Sequence, residues 1–282
     1  MKQKAFTLVE LVVTMVLLGI TSTMVLTFIS NGTLFYMESL GRAEVSSFSN
    51  NAITRLKKDI SLSIPYQLTI TDSCFDCNVY SNKLDFVVPF HVLNITNKQI
   101  FDIDNSDNPF ALLNNNDRKF YFSISDFHKQ NYQKLYGRTL VDDIRSGYVG
   151  VVTLSRKLEK LKIKSLNDLG NGDYYITLDV SSIPMAFLYR NTFYLINDSS
   201  YRSYYVNKFY ELVYTEGNVN GKINLGSSEN SYGSIKVKAL KFSVDSGSDK
   251  SNSNSVNVDI VSTCQEQIMA VKYYIEALNY EK

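Results

Sequence analysis

Few side chains in this sequence are typed and spaced for chemistry. Cys74 and Cys77 stand in a Cys-Phe-Asp-Cys run, and Cys264 lies near the other end of the chain. A CxxC pair is redox-active when it opens a helix, where a thiol is easily ionised. Here it follows a strand-like run and precedes Asn78-Val79-Tyr80-Ser81-Asn82, which has no helical pattern. A structural disulfide or a loop bridge is therefore the reading. Three pairings stay open (Cys74–Cys77, Cys74–Cys264 and Cys77–Cys264), and one thiol is left over. A structural zinc centre asks for four ligands, which one CxxC, Cys264 and a remote histidine do not supply. His91 and His128 are far apart in sequence and lack metal-ligand neighbours, so both read as ordinary strand or loop residues. Asp102, Asp104 and Asp107, with Asn105 and Asn108, offer oxygen donors for calcium. They lack EF-hand spacing and a closing Glu, so a solvated acidic loop is the simpler account. No GxSxG, HExxH, P-loop or dinucleotide fingerprint is present. No catalytic set is found, no cofactor beyond that calcium is implied, and the protein is not expected to be an enzyme.

The remaining chemical oddity is Glu10, a carboxylate at the head of an apolar run. Residues 1–5 read MKQKA, with Lys2 and Lys4 as their charged side chains, and Leu11–Ile29 is 19 residues without a charge. At about 1.5 Å per residue such a helix spans a bilayer core. The two lysines predict a cytoplasmic N-terminus and an exported remainder. A cleaved secretory signal needs a small-residue site after its apolar stretch. Thr21, Ser22 and Thr23 loosely mimic one, but the apolar run continues through Met24, Val25, Leu26, Phe28 and Ile29. A plain membrane anchor has no use for Glu10, because a carboxylate in the membrane is costly and usually has a partner.

Ala5-Phe6-Thr7-Leu8-Val9-Glu10 followed by an apolar helix resembles the type IV prepilin family. The resemblance implies that a prepilin peptidase cuts between Ala5 and Phe6 and methylates the new amine of Phe6. It implies that Glu10, fifth in the mature chain, faces the N-terminal ammonium of a neighbouring subunit. Opposite charges in a low-dielectric bundle stabilise each other and leave neither unpaired. The sequence departs from the family at Ala5, where Gly is usual. The implied partners are other major and minor pilins, the peptidase, an inner-membrane assembly platform and, before assembly, membrane lipid. The implied location is the inner membrane, single-pass with the head periplasmic, then a pilus or pseudopilus.

The elements that position these residues follow from periodicity. Leu34, Met37, Gly41, Val45, Phe48, Ala52, Leu56 and Ile60 recur in steps of three or four, one stripe of a helix. Glu38, Arg42, Glu44, Asn51, Arg55, Lys57 and Asp59 fall between them and read as a solvated face. Pro65 marks the stop, so one helix is predicted from about Phe6 to about Ser63. Gly19, Gly32 and Gly41 are its soft points.

Beyond Tyr66 the pattern changes to period two. Twenty Tyr and 16 Phe, many beside Val, Ile and Thr, favour strands. Strands are predicted at 66–71, 83–88, 119–124, 148–154, 174–179, 192–196, 203–206, 209–214, 234–244, 255–262 and, less distinctly from helix, 269–277. Lys157–Leu169 is predicted as a short helix from the spacing of Leu158, Leu161, Ile163, Leu166 and Leu169. Asp102–Asp117 and Asp245–Ser255 read as long loops. The fold class is α+β: a leader over 1–5, an N-terminal helix over 6–64 that spans the membrane to about residue 29, and a β-rich head over 65–282. With 29 basic and 28 acidic residues, nothing in the charge favours nucleic acid.

Arg55-Leu56-Lys57-Lys58-Asp59-Ile60, Ile64-Pro65 and Leu84-Asp85-Phe86-Val87-Val88-Pro89 are similar to the large minor pilins of the PilW/GspJ type. The similarity, with Arg190–Tyr205, leans towards the O-type minor pilins of the mannose-sensitive haemagglutinin (MSHA) pilus. It implies a minor subunit that primes or caps an adhesive pilus. Two alternatives are a minor pseudopilin of a type II secretion system and, from another class, an anchored adhesin that never polymerises.

Overall fold

A computed structural model describes residues 7–72, 77–94, 119–181, 184–187, 192–217, 219–222, 235–244, 253–264 and 267–277. Its first element is α1 (Leu8–Ser61), 54 residues and therefore about 80 Å long. The start is fixed locally. The Thr7 hydroxyl accepts from the backbone N–H of Glu10, and the Glu10 carboxylate accepts from the backbone N–H of Thr7 at 2.9 Å. This reciprocal pair satisfies two of the donors that every helix start leaves over. At the other end, the N–H of Ser63 turns back to the carbonyl of Ile60, and Pro65 follows.

In chain order there follow β1 (Thr69–Thr71), β2 (Lys83–Val87), β3 (His91–Asn94) and β4 (Lys119–Ser123). Two short helices come next, α2 (Asp126–Tyr136) and α3 (Leu140–Arg145). The chain continues through β5 (Tyr148–Val152), β6 (Leu158–Gly170), β7 (Asp173–Leu178), β8 (Thr192–Ile196), β9 (Tyr201–Val206), β10 (Leu212–Glu216) and β11 (Val219–Lys222). It closes with β12 (Lys236–Ser243), β13 (Ser255–Cys264) and β14 (Gln267–Glu276). Three antiparallel sheets result, with orders β1-β2-β9-β10-β11, β12-β13-β14 and β3-β8-β5-β6-β7-β4.

The inner half of α1 forms one core with the first two sheets. Phe48, Ala52, Leu56 and Ile60 meet Leu84, Phe86, Tyr204 and Tyr214 from the five-stranded sheet and Leu240, Val258, Ile260 and Ile275 from the three-stranded one. A second core lies between the six-stranded sheet and α2 and α3. Tyr132, Leu140 and Ile144 of those helices pack on Val149, Ile163, Ile176, Phe193 and Leu195. A small cluster of Ile64, Val87, Val152, Tyr194 and Ile196 ties the two together.

The six-stranded sheet corrects one prediction. Residues 157–169 are not a helix, because Leu158–Gly170 pairs with β5 on one side and β7 on the other. Register shifts at Ile163/Ser165 and Asp168/Gly170 insert extra residues into the strand. The insertions stretch the steps from Ile163 to Leu166 and from Leu166 to Leu169 to three residues, so these positions mimic helical spacing while staying on a sheet. Two predicted strands begin late for local reasons. Tyr66 has φ 62°, which delays the first strand to Thr69. Asn207 accepts from the N–H groups of Phe209 and Glu211 through its side chain, so 207–210 is a turn and β10 begins at Leu212. Residues 269–277, ambiguous in sequence, lie largely in β14, paired along β13. The predicted loop Asp102–Asp117 lies outside the described residues, as do residues 245–252 of the second.

Candidate assembly helix and its seat on the head

From Leu8 to Met37 every residue of α1 is exposed. Leu8, Phe28 and Phe35 are 81%, 79% and 74% accessible. The predicted stripe thus divides: Leu34 and Met37 stand in the open, and burial begins at Gly41. The exposed part is long and apolar enough to cross a membrane, by length and composition. Within it the polar side chains look after themselves. Thr14, Thr21, Thr23, Thr27 and Thr33 each donate to a carbonyl three or four residues back along the helix. Glu10 is bound, among the described residues, only to Thr7. Ala5 and Phe6 lie outside the described residues.

The seat is polar at its centre. Asp59, read from sequence as part of a solvated face, is in fact buried, because it lies three residues beyond Leu56 and beside Ile60 on the docked stripe. Its carboxylate accepts from the Tyr204 hydroxyl at 2.6 Å and pairs with Arg202 at 3.5 Å, both from β9. Burial, reinforced by the Asp59 charge, pushes the Tyr204 hydroxyl far above the usual phenol range, so it is a permanent donor. Arg202 reaches Glu216 at 3.7 Å, Glu216 lies 4.0 Å from Arg138, and Arg138 pairs with Asp143 at 2.8 Å. Tyr132 donates to Asp143. A continuous run of charges thus leads from α1 through the five-stranded sheet to α2 and α3. Arg55, also assigned to the solvated face, stacks over the Tyr214 ring at 4.9 Å. The step of three from Leu56 to Asp59 was visible in the sequence. Its partners, more than 140 residues away, were not.

The cysteines divide between two roles. Cys77 is disulfide-bonded and Cys264 keeps its thiol, which removes both pairings that use Cys264. Cys74 lies outside the described residues. The Cys264 thiol, at the end of β13, donates to Glu44 of α1 at 3.8 Å, and burial together with that carboxylate holds its pKa above the ordinary value. Asp102, Asp104 and Asp107 lie outside the described residues. Among the described residues no three His, Cys, Asp or Glu side chains cluster as a metal site. The two histidines are a correction: far apart in sequence, His91 of β3 and His128 of α2 stand with ring centroids 5.1 Å apart.

A long apolar N-terminal helix continuous with a β-rich head is an α+β, pilin-like architecture. Residues 1–26 match the family model described as the prokaryotic N-terminal methylation motif. That stretch contains Ala5, Phe6 and Glu10, and the N-terminal segment is type IV pilin-like. No curated protein matches the chain, and no solved structure does.

Proposed function

We propose that this protein is a minor pilin-like subunit whose work is assembly rather than catalysis. The carrying observation is the division of α1. Some 30 residues of apolar helix are exposed and overlap the stretch that matches the methylation motif, while the rest of the same helix is locked into the head. Exposed apolar surface of this extent calls for lipid or another apolar helix. In this reading lipid covers it first, with Lys2 and Lys4 in the cytoplasm and the head exported. A prepilin peptidase then cuts between Ala5 and Phe6 and methylates Phe6. The freed helix joins a bundle of pilin helices, where Glu10 faces the Phe6 ammonium of a neighbour and the head primes or caps the filament. The downstream similarity to large minor pilins supports an adhesive pilus of the MSHA type as the machine.

The test is co-expression of the full chain with a prepilin peptidase, followed by measurement of the N-terminal mass. The expected product begins at methylated Phe6. An intact Met1–Ala5 leader would leave a membrane-anchored protein that never enters a filament.

A further inference from the structure

The pair of imidazoles at the edge of the second core is unused by assembly. His91 comes from β3, the edge strand of the six-stranded sheet, and His128 from the first turn of α2. Their ring centroids are 5.1 Å apart and the rings are tilted by 58°. Two imidazoles bound to one tetrahedral ion through bonds of about 2.0–2.1 Å hold their centroids about 5.2 Å apart. Among the described residues, no ring nitrogen of either histidine makes a hydrogen bond. Each neutral imidazole thus keeps a nitrogen lone pair that no described residue takes up.

We propose that His91 and His128 together bind one divalent ion of the zinc class, with water completing the coordination. Imidazole suits zinc, copper and nickel better than calcium or magnesium. A ligand histidine must be neutral to offer its lone pair to the ion. His128 is exposed, which gives the ion and its waters a way in. The nearest cation in sequence, Lys129, is paired with Asp126 at 2.7 Å. The bound ion would clamp the edge strand to α2, adding to the edge-on contact of Phe90 with Tyr132. It would stabilise the folded state by an amount that grows with the logarithm of the free ion concentration above Kd.

The experiment uses the full chain in detergent, without a histidine tag, stripped of metal with a chelator. Zinc chloride is titrated by calorimetry up to about 1 mM, and thermal unfolding is followed at each concentration. The expected result is one zinc per chain and a Tm that climbs with zinc. His91→Ala and His128→Ala each weaken binding at least tenfold and remove the Tm shift, while Cys264→Ser changes neither. Since His128 is exposed, its variant folds even if the His91 variant does not. Copper(II) in place of zinc should give an electron spin resonance spectrum split by two ring nitrogens. Absence of saturable binding, or binding that survives His128→Ala, overturns the proposal. Filament assembly is not read in this assay, so its outcome is separate from that of the pilin reading.

Discussion

Between Leu8 and Met37, α1 carries apolar side chains on every side and none of them is buried; between Gly41 and Ile60 it carries them on one stripe, and that stripe is the keel of a core. The outer half keeps its polar groups internal, through threonine hydroxyls bonded to helix carbonyls and Glu10 bonded to Thr7. The inner half sends its polar groups outward to partners: Asp59 to Tyr204 and Arg202, Arg42 to Gln267, Ser49 to Ser262. One half is built to exchange its surroundings, lipid for helices. The other is built to keep them.

The contrast breaks most severely at Glu10. Glu10→Ala should cut incorporation into sheared filaments about a hundredfold, as expected for breaking a buried ion pair, and leave the unfolding of the head unchanged. Glu10→Gln, which retains a side chain able to cap the helix start, should assemble as poorly; assembly near the unmodified level would show that the cap and not the charge matters. In the inner half, Leu56→Ala should destabilise the head by about 2–5 kcal/mol in a denaturant titration, because Leu56 is fully buried. Val16→Ala, the matching change in the outer half, should move the same transition by less than about 0.5 kcal/mol. A similar loss from both would erase the distinction. Cys264 reports the seat without perturbing it. Its raised pKa leaves less thiolate near pH 8 than an ordinary thiol has, so its reaction with a disulfide reagent should climb only as pH rises beyond the usual thiol range. Unfolding, which releases Glu44 and exposes the sulfur, should speed the reaction at pH 8 by about tenfold or more.

Much of this was legible in the chain. Thr7, Glu10 and Pro65 bracket α1 because helix ends are set by neighbours in sequence. Ser125 and Thr139 as caps, with Gly137 at φ 68° closing α2, were equally local signals for two helices that the period-two reading passed over. β6 was misread because its bulges depend on β7, a partner strand that a one-dimensional period does not register. Asp59 was misplaced because a carboxylate on a helix is solvated by default, and Tyr204 and Arg202 reverse that default only after the chain has folded.

The sequence by itself determined the apolar helix, its start and stop, the motif across Ala5, Phe6 and Glu10, and the β-rich character of the head. These are properties of neighbours, carried by charge-free length, capping chemistry and alternation. Tertiary structure alone decided where α1 passes from exposed to buried, that Asp59 faces inward, that Cys264 keeps a thiol against Glu44, and that His91 meets His128. Each of those depends on contacts between residues far apart in the chain, which no local pattern encodes.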